Sequence, residues 1–141
     1  MAGKITAYVL DSFALLAYLQ GEVGMPRVRA ILTEAEEGQH TIYASLINVG
    51  EVLYTIEREH GLTEAQRALA AIDQLPVEIV PVSRATVLAA AHIKARYPVS
   101  YADAFAVVTA QDHNGVVVTG DPEFQSIVNA KIALVEWLSR K

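Results

Sequence analysis

Four carboxylates, Asp11, Glu51, Asp103 and Asp121, stand where an alternating strand–helix chain passes from strand to helix, or in the opening turns of a helix. Carboxylates that meet repel one another, and some must keep a proton unless a cation intervenes. An all-oxygen set with no cysteine in the chain and no histidine beside it suits Mg²⁺ or Mn²⁺ rather than zinc. A divalent ion so held can activate water and stabilise the attacking and leaving oxygens of a phosphodiester. The pattern therefore points to metal-dependent cutting of a nucleic acid, provided that the fold brings the four together.

Each acid has a plainer reading beside this one. Asp11 ends a run of β-formers, residues 6–10, just before a helical pattern. It could simply cap that helix, although Ser12 could do so equally well and leave the acid free. Glu51 lies in a helix capped by Ser45 and ending at Gly61. Leu46, Val49, Leu53 and Ile56 have the spacing of a buried stripe, and Asn48, Glu51 and Thr55 that of a polar one. A solvated surface Glu is the simpler account, but side chains lean toward the helix N-terminus and so toward the sheet edge.

Asp103 sits in residues 100–108, a helix apolar nearly all round, where a carboxylate is costly unless paired or bound. At the third position after the Ser100 cap it could bond back to the cap N–H, yet that position usually holds Glu or Gln. Asp121 follows residues 116–119 and precedes Pro122, an ordinary helix start with Asp as cap. It is also a turn beyond a buried strand, with the Thr119 hydroxyl nearby.

The elements that must position these acids alternate along the chain. Strands are expected at 6–10, 41–43, 77–80, 116–119 and 132–135. Helices are expected at 12–19, from Pro26 to Glu37, 45–60, from Thr63 to before Pro76, from Arg84 to about Tyr97, and from Ser100 to about Asp112, with a short one after Pro122. Strands joined by helical crossovers imply a three-layer α/β/α sandwich with a mostly parallel sheet. Such sheets bind ligands beyond the carboxyl ends of their strands, where Asp11 and Asp121 fall. Spacing does not give the strand order.

The 141 residues suit a single domain, 1–141, with a real core. An apolar fraction of 52% against 19% charged excludes disorder. No apolar run approaches the roughly 18 residues of a membrane span. The first four residues show no export signal, and with cysteine absent a cytoplasmic location is expected. The net charge of −5 argues against a non-specific polyanion binder, an objection that bound divalent cations would weaken. His40, His60, His92 and His113 share no ligand spacing and read as solvated. Arg84, Lys94 and Arg96 read as the wet face of one helix. Tyr8, Tyr18, Tyr43, Tyr54 and Trp137 could stack on bases but read as core or interface.

The segments Leu10-Asp11-Ser12, Asn48-Val49-Gly50-Glu51-Val52, Tyr101-Ala102-Asp103-Ala104 and Thr119-Gly120-Asp121-Pro122 with Phe124 resemble PIN-domain nucleases, and among them the VapC-type toxins of toxin–antitoxin pairs. The resemblance runs over essentially the whole chain. It implies that Asp11 and Asp103 are principal metal ligands, Asp121 a further ligand, and Glu51 a ligand or water-orienting base. Thr119, Asn48 and Ser12 would support them. It implies Mg²⁺ (or Mn²⁺) as cofactor, RNA as substrate, a homodimer and a small antitoxin covering the acidic pocket. Two competitors are a housekeeping RNA-processing nuclease of the same family and a receiver-like, phosphorylation-controlled signalling module. The latter needs an Asp after the third strand, where this chain has Pro81.

Overall fold

The computed structural model describes residues 5–140, so the expectation about an export signal in Met1–Lys4 lies outside the described residues. The chain runs β1 (Thr6–Leu10), α1 (Ser12–Gln20), α2 (Met25–Glu36), β2 (His40–Ser45), α3 (Leu46–His60), α4 (Leu62–Asp73), β3 (Glu78–Val80), α5 (Arg84–Arg96), α6 (Tyr101–His113) and β4 (Val116–Thr119). One 3₁₀ turn (Pro122–Phe124), α7 (Gln125–Asn129) and β5 (Leu134–Trp137) follow. All strand pairs are parallel, in the order β3-β2-β1-β4-β5.

Alternation along the strands makes the three layers. Tyr8 and Leu10 face one side and Val9 the other; Val118 and Val117 divide in the same way. The first face is covered by α1 to α4, through Leu15, Ile31, Val52 and Ile72. The second is covered by α5 to α7, through Ile93, Phe105, Val107 and Ile127. Among the described residues no helix is long and apolar enough to cross a membrane.

The strand order supplies what spacing did not. The chain moves outward from β1 through β2 to β3, then returns to lay β4 on the other side of β1. Between β1 and β4 the crossover direction reverses, so a crevice opens at their carboxyl ends. Leu10 pairs with Val118, which sets Asp11 beside Thr119.

Several boundaries differ from expectation for identifiable reasons. Helix α4 opens at Leu62, not Thr63, because Gly61 (φ 91°) both closes α3 through its N–H to Glu57 and accepts from Ala65 N. Strand β5 begins at Leu134 rather than Ile132. Ile132 N still bonds Ile127 O, closing α7, and Lys131 sits in the left-handed region. Leu46 is 46% exposed, and Val52 takes its place in the buried stripe of α3. His40 and His113 are half-buried, not solvated: His113 stacks on Tyr43 at 3.9 Å, and His40 meets Tyr8 edge-on.

Two features hold β4 and the turn after it. Leu138 N donates to Thr119 O at 2.8 Å, and Arg27 of α2 grips Glu136 of β5 with two bonds, 2.7 and 2.9 Å. Phe124, fully buried against the second face, anchors the turn that carries Asp121. Removing its ring leaves a cavity beneath that turn. Phe124→Ala is expected to lower the unfolding free energy by about 3–5 kcal/mol in urea titration. A loss below about 1 kcal/mol would mean that the ring anchors nothing.

Candidate metal centre

The four acids reach one cavity from four elements. A pocket of about 280 Å³ at the carboxyl edge of the sheet is lined by Asp11, Glu51, Asp103, Asp121 and Glu123, with Phe13 and Leu16 as apolar wall. Two larger grooves lie elsewhere, and neither holds three potential ligand atoms in mutual reach.

Asp11 is the N-cap of α1 and buried to 1% exposure. Its Oδ1 accepts from Ala14 N at 2.9 Å, and its Oδ2 from the Thr119 hydroxyl. So the capping role falls to the acid and not to Ser12, which is occupied elsewhere. The two readings of Asp11 do not exclude each other, since the cap bond aims the carboxylate into the crevice. Thr119 Oγ1 also accepts from Asp121 N at 3.0 Å, tying the turn after β4 to the end of β1.

Glu51, in the second turn of α3, is held at both oxygens. Oε1 accepts from Ser12 Oγ and Oε2 from Tyr54 Oη at 3.3 Å. Asn48 is fully buried and donates to Ser12 Oγ at 3.1 Å and to Ala102 O at 3.2 Å. It therefore joins α1, α3 and α6, so the polar stripe of α3 starts as an interior seam at Asn48 and opens to the half-buried Glu51 and Thr55.

Asp103 is 4% exposed in the first turn of α6. The cap is half a box: Asp103 N donates to Ser100 Oγ, but Ser100 N donates to Glu123 Oε1 at 3.2 Å instead of to Asp103. The Asp103 carboxylate is thus released from capping, and its Oδ2 is buried with no hydrogen-bond partner. Asp121 caps the 3₁₀ turn, its Oδ1 accepting from Glu123 N at 2.9 Å.

Glu123 is the pocket acid that the sequence reading passed over. One carboxylate oxygen each from Asp103, Asp121 and Glu123 lie within 4.8 Å of one another, the one such group among the described residues. Asp11 and Glu51 line the same cavity but stand outside this close triad.

Electrostatics follow from this crowding. Burial pushes the Asp11 carboxyl up to about 7; bonds from Thr119 and Ala14 oppose the rise, and the Asp121 and Glu51 charges add to it. Burial, reinforced by Glu123, Asp121 and Asp11, pushes Asp103 up to about 9. The positive end of the α6 dipole lowers this cost without removing it. No lysine, arginine or histidine lines the pocket. The orphaned Asp103 oxygen among other carboxylates fits a divalent cation in chemistry, since hard oxygen donors and uncompensated negative charge are what such an ion requires.

An open parallel sheet with an acidic pocket at its switch point defines an α/β protein with a carboxylate-lined crevice at the strand ends. Residues 8–129 match the PIN domain family model, and the chain belongs to the PIN domain family, a family of nucleases. Its fold is that of VapC structures. Against VapBC2 from Rickettsia felis, solved bound to a DNA fragment from its promoter, the TM-score is 0.73 at 15% identity, covering 95% of this chain and 100% of that one. DNA-bound VapBC from Salmonella typhimurium gives 0.71 at 16%, with 94% and 98% covered. VapC20 from Mycobacterium tuberculosis, a sarcin–ricin loop cleaving toxin, gives 0.69 at 15%, with 85% and 94% covered. A comparison with curated proteins found no match to this chain.

The raised carboxyls make stability fall as pH rises in the absence of metal. The unfolded chain releases both protons near the ordinary aspartate value, whereas the folded chain keeps that of Asp11 to about 7 and that of Asp103 to about 9. Below the unfolded value the two states bind protons alike; through the window above it, deprotonation favours unfolding. In EDTA the Tm should fall by several degrees between about pH 5 and about pH 9, and Asp103→Asn should flatten that fall. Mg²⁺ should restore more stability at the alkaline end, because it binds the ionised carboxylates. A wild-type Tm that is flat or rising over this range in EDTA would contradict the assignment.

Proposed function

We propose that residues 1–141 form one nuclease domain, a Mg²⁺- or Mn²⁺-dependent endoribonuclease that acts in the cytoplasm as the toxin of a type II toxin–antitoxin pair. The observation that carries the reading is the convergence of Asp11, Glu51, Asp103 and Asp121 on one cavity, with a buried Asp103 oxygen left unpaired. The likeness to VapC chains solved as VapBC complexes supports an antitoxin partner, and the sarcin–ricin loop cleaving toxin among them supports RNA as the substrate. A homodimer is part of the same reading.

Asp11, Asp103 and Asp121, with Glu51 as ligand or base, would hold the cation. Bound there, it would supply Lewis acidity toward a phosphodiester and toward water. The remaining chemistry belongs to the chain. Glu51, fixed by Ser12 and Tyr54, accepts a proton from the attacking water. Thr119 and the Ala14 N–H fix the Asp11 carboxylate in orientation, so no reorganisation is required as charge develops. Asn48 keeps α1, α3 and α6 in register and thereby sets the distance between the Glu51 and Asp103 walls. Phe13 and Leu16 exclude water from one side.

The test is cleavage of labelled RNA with Mg²⁺ or Mn²⁺ by wild type, Asp11→Asn and Asp103→Asn. Asparagine keeps an oxygen for the α1 cap, so the first variant should fold. Both substitutions should lower the rate about 100-fold or more. Cleavage that survives both would remove this cavity as the active site. Growth arrest on expression, relieved by the product of a neighbouring short open reading frame, would separate a toxin from an RNA-processing enzyme.

A further inference from the structure

The acids of the pocket divide into two kinds by what already holds them. Both oxygens of Asp11 and both of Glu51 accept hydrogen bonds within the protein, from Ala14 N, Thr119, Ser12 and Tyr54. Asp103 differs: Oδ2 is buried without a partner, and the pocket offers no basic side chain to neutralise it. A desolvated carboxylate oxygen requires a proton or a cation.

Glu123 is built into the same corner. Its Oε1 takes the Ser100 N–H at 3.2 Å, which ties its side chain to the start of α6. Its own N–H binds Asp121 Oδ1 at 2.9 Å, which fixes the two acids relative to each other. The preceding Pro122 restricts the backbone between them. One oxygen from each of Asp103, Asp121 and Glu123 then falls inside a 4.8 Å span. Oxygens around a Mg²⁺-sized ion, each about 2.1 Å from it, stand no further apart than this.

We propose that Glu123 is a fifth carboxylate of the centre and, with Asp103 and Asp121, directly ligates a divalent cation. The inference rests on the metal-dependent reading above and goes beyond the quartet named there. Asp11 and Glu51, engaged by hydroxyl groups, line the same pocket beside this triad and keep the roles given them above. The rival account is a proton shared between the Asp103 and Glu123 carboxyls, which would satisfy the orphaned oxygen with no ion.

The experiment is Mn²⁺ binding to the full chain without RNA, by calorimetry, for wild type, Asp103→Asn and Glu123→Gln. Folding of each is checked by circular dichroism in EDTA. Glutamine keeps an oxygen for the Ser100 N–H while removing the charge. Wild type should bind, and both variants should bind at least about tenfold more weakly. If Asp103→Asn loses affinity and Glu123→Gln retains it, the Glu123 assignment is overturned and the centre stands. If wild type binds no Mn²⁺, both fall. A wild-type crystal soaked in Mn²⁺ gives a reading that needs no variant. An anomalous peak within about 2.5 Å of a Glu123 carboxylate oxygen supports the proposal, and a peak bound elsewhere in the pocket overturns it.

Discussion

Burying two carboxylates, Asp11 and Asp103, beside other acids at one edge of a parallel sheet is the constraint on which the rest of this molecule depends. Taking a carboxylate out of water without a partner costs several kcal/mol, more than most other single features of a domain contribute. The protein offsets part of that cost with hydroxyl and amide donors: Thr119 and Ala14 N for Asp11, Ser12 and Tyr54 for Glu51. It leaves another part uncompensated, in the Asp103 carboxylate and the absence of any cationic side chain from the pocket lining. Such a residue of unfavourable energy is the usual signature of a binding site, where stability is lower than the fold alone could reach.

The sheet order explains why the acids can meet at all. Asp11 and Thr119 are 108 positions apart, yet the pairing of β1 with β4 makes them lateral neighbours. Helix α3 leaves the end of β2, and α6 lies under both β1 and β2, so Glu51 and Asp103 enter from either side of the crevice. Had β4 continued outward past β3, Asp121 would lie at the far edge of the sheet, away from Asp11. The topological reversal and the acidic cavity are one feature, seen first in the backbone and then in the side chains.

How much of this was legible in the sequence varied with the physics involved. Strand β1, the Asp11 seam and the buried environment of Asp103 were plain, because apolar runs and their interruption by an acid are local signals. The α/β/α layering followed from alternation alone. The face of α3 was harder: residues 46, 49, 53 and 56 and residues 49, 52 and 56 satisfy the helical period almost equally, and packing chose the second. Asn48 looked like part of a wet stripe because nothing local reveals that Ala102 O lies across from it. Glu123 was missed for a related reason. An acid in the first turn after an Asp-Pro start is explained well enough by the helix dipole, and its bond to Ser100, 23 positions earlier, has no sequence signature. Strand order was invisible, since the crossovers do not encode where a strand returns.

For an acidic chain, the proposed action on a polyanion presents an apparent contradiction, which the arrangement of charge addresses. With a net charge of −5, long-range attraction to a nucleic acid is absent, and the pocket itself repels phosphate most strongly. The exposed cations of α5, Arg84, Lys94 and Arg96, and those of other elements, such as Arg58 and Arg67, all sit outside the pocket lining. Phosphate is therefore opposed at the cavity itself, and divalent positive charge gathered there would offset much of that repulsion and offer the phosphate a direct partner. On this argument the cation serves recognition as well as reaction: the carboxylates that would hold it also deny the substrate entry while the centre is empty. On the proposed RNA-cleaving reading, the pocket is selective by electrostatics before any base is read, and discrimination between RNAs falls to the surface around it.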